Sequence, residues 1–206
     1  MSADLSVYKK DFPIFSRSVR GGNPLIYLDS GATSQKPEVV IQAEADFYRT
    51  KNAAVHRGAH LLAEEASDAY EGARENVARF IGAASSEVIF TKSATESLNF
   101  LATSFGNPDS RIAIKPGDEI VVTEMEHHAN LIPWQQLAAR TGATLKWFEV
   151  TPEGRLDLSD IDSIITAKTK VVALTHQSNV LGTINPLAEI VKRAHAVGAY
   201  VVLDAC

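Results

Sequence analysis

One cysteine occurs in the 206 residues, and it is the last, Cys206. A single thiol excludes a disulfide within the chain and fits a reducing compartment such as the cytoplasm. Long apolar runs are lacking too: none approaches the roughly 20 residues that cross a bilayer, so no membrane partner is expected. Positive charge is in the minority. With a formal charge of -5, a general nucleic-acid surface is not expected. No Gly-rich phosphate loop of the Rossmann or Walker kind occurs, which disfavours a nucleotide. No Gly-x-Ser-x-Gly elbow supports a serine hydrolase. No metal set is expected either. His127 and His128 are adjacent and point apart if extended, and no His-x-x-x-His stands on a helical stretch. The opening Met1-Ser-Ala-Asp-Leu-Ser6 has neither the basic nor the apolar region of a secretory leader. The rest of the composition, 45% hydrophobic and 22% charged, is ordinary globular usage with enough apolar residues for one large core.

What is present is an alternation of short apolar runs and helical periods. Val88-Ile-Phe90 reads as a buried strand, and Leu98, Leu101, Ala102 and Phe105 recur at helical spacing after it. The polar turn between them, Thr91 to Glu96, aims free backbone N–H groups past the strand end, a ready anion site for which phosphate is the usual occupant. Ile26-Tyr-Leu28 reads as a further strand. A helix follows Pro37 with Val39, Val40, Ala43 and Phe47 inward, and one long helix runs from His60 to Ile81, stopped by Gly82. Downstream, strands are expected at 119–123, 144–150, 169–175 and 199–203, separated by helices over 131–140, 158–167 and 186–197. Residues 1–25 read as an N-terminal arm or part of a small domain, and 26–206 as one large domain. Because the chain ends on a strand-like stretch, Val201 to Cys206, that domain is expected to be truncated on its C-terminal side.

Strand–helix alternation implies crossover connections and an α/β fold: a mostly parallel sheet with helices on both faces. Such sheets bind ligands at the carboxyl ends of their strands. Those ends carry capable groups here: Ser93 and Thr95, then Glu126 with His127 and His128, then His176 to Asn179, then Asp204. An anion cradle, an imidazole, a carboxamide and a strand-end carboxylate suit an aromatic ring bearing a phosphate. The imidazole can lie flat on the ring, the carboxylate can keep a pyridine nitrogen protonated, and the amide can reach a ring oxygen. These are the needs of pyridoxal phosphate.

Six stretches carry a family resemblance: Tyr27-Leu-Asp-Ser-Gly-Ala-Thr33, Ala54-Val-His-Arg-Gly58, Ser93-Ala-Thr-Glu-Ser97, Glu124-Met-Glu-His-His-Ala-Asn-Leu-Ile-Pro-Trp134, Thr175-His-Gln-Ser-Asn-Val-Leu-Gly182 and Val202-Leu-Asp-Ala-Cys206. Together they resemble the SUF-type cysteine desulfurases, members of the class V aminotransferase group of fold type I pyridoxal-phosphate enzymes. The resemblance covers the amino-terminal half of such an enzyme. It implies that Ala94 and Thr95 bind the phosphate and that His127 stacks on the ring as the catalytic histidine. Asp204 would then pair with the ring nitrogen, Asn179 would serve both ring and substrate, and His56 and Arg57 would line the substrate channel, contributed by the other subunit of a homodimer. The implied reaction takes sulfur from L-cysteine, leaves alanine and passes the sulfur, as a persulfide on an enzyme cysteine, to a carrier or scaffold protein for iron–sulfur cluster assembly.

The family's cofactor-attaching lysine, carboxylate-binding arginine and nucleophilic cysteine belong to segments beyond residue 206. None of the ten lysines is placed to substitute, Cys206 reads as a small core residue, and the chain alone is expected to be inactive. Alternatives on the same scaffold are a selenocysteine lyase or a kynureninase-like hydrolase. An alternative of another class is a non-catalytic truncated binding module.

Overall fold

The computed structural model describes residues 4–206. Met1–Ala3, the start of the expected arm and of the stretch compared with a leader, lie outside the described residues. Two compact units divide at Phe90/Thr91.

In the first unit, short 3-10 turns at Leu5–Asp11 and Pro13–Ser16 precede helix α1 (Glu38–Thr50) and helix α2 (Leu61–Ile81). Helix α2 starts where His60 Nδ1 accepts the Ala63 N–H and stops where Gly82 turns left-handed at φ 72°, the conformation glycine adopts without a Cβ penalty. Two expected strands do not form. Ile26 to Leu28 is irregular, with Ile26 and Leu28 exposed. Val88 to Phe90 is extended but unpaired among the described residues. Arg74 holds it instead: its guanidinium lies 5.1 Å from the Phe90 ring and 5.0 Å from that of Tyr70, and donates to the Val88 carbonyl. Helix α1 also buries no residue, so Val39, Val40, Ala43 and Phe47 do not form the buried face their spacing suggests.

The second unit carries the sheet. After helix α3 (Ala94–Gly106) come strand β1 (Glu119–Thr123), helix α4 (His128–Thr141), strand β2 (Thr144–Phe148), the short helix α5 (Ile161–Ile164), strand β3 (Thr169–Thr175), helix α6 (Leu187–Ala196) and strand β4 (Tyr200–Asp204). The four strands are parallel in the order β2-β1-β3-β4. Alternate side chains leave the sheet on opposite faces. Ile120, Val122, Val171 and Ala173 meet α3 and α4 through Leu98, Phe105, Trp134 and Leu137. Val121, Val172 and Leu174 meet Ile165 and, on α6, Ile190 and Ala194. Both faces are therefore covered, and the central strands are apolar at nearly every position for that reason.

Boundaries differ from the sequence expectation at two helices. Helix α4 begins three residues early because the His127 ring caps it. Helix α5 is a single turn. The Asp157 carboxylate takes the Ser159 N–H at 2.9 Å, a local bond that competes with helix, and Arg193 takes the Ile165 carbonyl at 2.7 Å, closing the other end. Among the described residues no helix is long and apolar enough to cross a membrane.

Candidate active site

Parallel strands put their carboxyl ends on one edge of the sheet, and three of the expected residues stand there. His127 lies four residues past β1, Asn179 four past β3, and Asp204 is the last residue of β4. Ala94 and Thr95 open α3. At the other end of that helix, Gly106 sits against Leu137 and Arg140 near the end of α4. The two helices pack against each other, and their last turns meet at Gly106 and Leu137.

Each group is held by its local sequence. Ser93 Oγ accepts the Glu96 N–H at 3.2 Å and caps α3, while the Glu96 carboxylate returns to the Lys92 N–H at 2.7 Å. Helix geometry gives the first N–H groups no acceptor within the helix. With that of Glu96 satisfied, those of Ala94 and Thr95 are the donors available to an anion. The Thr95 carbonyl is engaged by Asn99 Nδ2 at 2.8 Å. His127 caps α4 by accepting the Ala129 N–H on Nδ1 at 3.1 Å. A neutral ring in that role carries its proton on Nε2. The ring is exposed and free to offer a face, and His128 beside it is exposed as well.

The sheet edge is acidic. Asp204 is partly buried. Its Oδ1 accepts the Cys206 N–H at 3.1 Å, and its carbonyl accepts the His176 N–H at 2.8 Å. Glu126, one residue before His127, is buried. Burial pushes its carboxyl above the ordinary range, and the Asp204 charge adds to that rise, against the hydrogen bonds from Thr123, Thr175 and Asn130. No lysine or arginine pairs with Asp204 or Glu126 among the described residues. A cationic ring nitrogen beside Asp204 suits such an edge. Taken together, the donor set fits a phosphorylated pyridine: free N–H groups at one helix start, a fixed imidazole at the next, and an acid without a protein counter-ion.

Asn179 is exposed in the β3–α6 loop, where Ser178 Oγ accepts the N–H groups of Val180 and Leu181. His56 and Arg57 belong to the first unit. His56 is the single non-glycine residue with positive φ, 59°, among the described residues. Its N–H donates to Ser67 Oγ at 2.9 Å, and its Nε2 lies 2.9 Å from Glu71 Oε1. Arg57 is exposed. Cys206, expected in a core, is exposed instead. No cluster of three or more potential metal ligands occurs among the described residues.

Sequence reasoning noted Glu126 at a strand end but gave it no role. The signal was available. Glu126, Asn130 and Trp134 lie four apart, a helical spacing that sets a charge, an amide and an indole in register across the start of α4.

The sequence matches the Aminotransferase class-V family over residues 26–206. The chain belongs to that family. It is 56% identical over 203 residues to a probable cysteine desulfurase of Streptomyces coelicolor, covering 98% of this chain and 49% of that protein. Among solved structures, an apo cysteine desulfurase from Thermococcus onnurineus NA1 superposes with TM-score 0.88 at 40% identity, covering 100% of this chain and 48% of that one. The cysteine desulfurase CsdA of Escherichia coli superposes with TM-score 0.81 at 33% identity, covering 99% and 49%. The chain thus spans about half the length of the curated relatives it matches. The class V family is pyridoxal-phosphate-dependent, and the parallel sheet with helices on both faces is the architecture shared with these structures.

Proposed function

We propose that this chain forms the cofactor-binding half of a SUF-type, pyridoxal-phosphate-dependent cysteine desulfurase. In this reading residues 26–206 belong to the large domain and residues 1–25 to an arm. The backbone N–H groups of Ala94 and Thr95 hold the phosphate. His127 lies flat on the pyridine, its ring plane fixed by the cap to Ala129. Asp204 faces the ring nitrogen and keeps it protonated. Asn179 reaches the ring oxygen and the substrate carboxylate, and His56 and Arg57 serve the substrate from the second subunit of a homodimer. When bound, the cofactor supplies an electron sink for bond cleavage at the amino-acid substrate. The attaching lysine and the sulfur-accepting cysteine come from outside residues 1–206. Substrate would be L-cysteine, and the sulfur would pass to a carrier or scaffold protein feeding iron–sulfur assembly in the cytoplasm.

The observation that carries this reading is the shared sheet edge. Free N–H groups open α3, a capped imidazole follows β1 and an acid without a basic protein partner ends β4, and parallel sheets bind ligands at such strand ends, which supports this reading. The test is product analysis with the full-length protein and pyridoxal phosphate. L-cysteine should yield alanine and, with reductant, sulfide in equal amounts. Turnover of kynurenine, or of selenocysteine alone, would overturn the desulfurase assignment.

A further inference from the structure

A buried polar series in the second unit runs along α4 and into the sheet. Trp134 Nε1 donates to Asn130 Oδ1 at 3.0 Å, and Asn130 Nδ2 donates to Glu126 Oε2 at 2.6 Å. Glu126 Oε1 accepts the Thr123 hydroxyl at 2.6 Å and the Thr175 backbone N–H at 2.9 Å. Trp134 and Asn130 have no exposed surface. An indole N–H can only donate, so the Asn130 amide has one permitted orientation: oxygen to Trp134, nitrogen to Glu126. The series is therefore one-way, and Glu126 must accept at its end.

Its other contacts reach both halves of the proposed cleft. Thr123 ends β1, and His127 follows Glu126 directly in the chain. Thr175 ends β3 and is the register partner of Asp204 on β4. One carboxylate thus joins β1, the strand that leads to His127, to β3, the strand whose last residue pairs with Asp204 on β4.

We infer that Glu126 is a positioning residue of the cofactor cleft, held as an acceptor by the Trp134–Asn130 relay and setting His127 against Asp204. The cofactor part of this inference rests on the function proposed above, whereas the relay does not. Glu126→Gln keeps the shape but turns one oxygen into a donor, which meets either the Asn130 amino group or the Thr175 N–H head-on. Asn130 cannot turn over while Trp134 needs its oxygen. Trp134→Phe removes that need and lets Asn130 present oxygen to the new amide.

The test uses the full-length protein and four forms: wild type, Glu126→Gln, Trp134→Phe and the double variant. Thermal melting is measured without cofactor, and pyridoxal-phosphate dissociation constants are measured by absorbance titration. Glu126→Gln alone should weaken cofactor binding about tenfold, the effect of one unsatisfied buried group. In the Trp134→Phe background the same change should weaken it about threefold or less, with a correspondingly smaller melting shift. Equal losses in both backgrounds overturn the relay. A melting shift with unchanged cofactor affinity overturns the positioning role, because a merely structural residue would behave so. If Glu126→Gln alone yields no folded protein, recovery by Trp134→Phe supports the relay and failure to recover overturns it. Wild-type protein that binds no pyridoxal phosphate overturns the cofactor reading, and the positioning role with it, even where melting still shows the coupling.

Discussion

In the proposed function helices α3 and α4 carry the phosphate donors and the stacking imidazole, so the fit between them should be measurable. Gly106, at the end of α3, lies directly against α4. A Cβ there would lie 2.7 Å from Leu137 Cδ1 and 2.8 Å from Arg140 Nη2. The Arg140 tip can swing away. Leu137 has no exposed surface and is packed within the core cluster. Its φ is not in the left-handed region, so helix propensity alone favours alanine by roughly 0.5–1 kcal/mol. Overpacking costs about 1–3 kcal/mol. The steric effect wins, and Gly106→Ala should destabilise the protein by about 1 kcal/mol, roughly 2–4 °C in melting temperature for a chain of this size. Leu137→Ala alone should cost about 2–5 kcal/mol. In that background the added methyl fills part of the cavity, so Gly106→Ala becomes neutral or stabilising. Chemical denaturation of the four forms measures the coupling, expected at about 1–3 kcal/mol. If Gly106→Ala stabilises equally in both backgrounds, the helices are not in contact there.

Other consequences can be checked on the same material. His127→Asn should keep the cap on α4 and melt close to wild type, whereas His127→Ala should lose about 1 kcal/mol. Both should weaken pyridoxal-phosphate binding, and a titration in which His127→Asn binds as wild type would contradict the stacking role. The Arg74 guanidinium, and after it His56, hold the Glu71 carboxyl below its ordinary range. Its share of stability is present above that range and lost as pH falls through the lowered value, so Glu71→Gln should show a flatter acid limb in pH-dependent melting. Glu126 behaves in the opposite sense. Its carboxyl is raised, so its contribution is full below the ordinary range and fades as pH rises through the raised value. Wild type should therefore gain stability relative to Glu126→Gln as the pH is lowered through that value, and a gain in the other direction would refute the burial argument.

The central sheet was legible in the sequence because its strands are covered on both sides. Val121-Val122 and Val171 to Leu174 admit few readings other than buried parallel strands. Helix α2 was legible through its period and the Gly82 stop. The runs Ile26 to Leu28 and Val88 to Phe90 are just as apolar but find no strand partner among the described residues, and local composition says nothing of partners. The cap at His127 was hidden for another reason: a histidine accepting on Nδ1 is not a residue that sequence rules place at a helix start. Four strand-end residues suggested a single cleft from topology alone. Glu126, which bonds to the ends of β1 and β3, stayed unassigned because its partners, Thr123, Asn130 and Thr175, are recognisable only once the strands are side by side.

The most direct test is a crystal structure of the full-length protein loaded with pyridoxal phosphate. The account predicts the His127 ring stacked on the pyridine, an Asp204 oxygen within hydrogen-bond distance of the ring nitrogen, and phosphate oxygens on the N–H groups of Ala94 and Thr95. A cofactor seated away from the carboxyl edge of β1, β3 and β4, or a ring nitrogen facing a group other than Asp204, would contradict it.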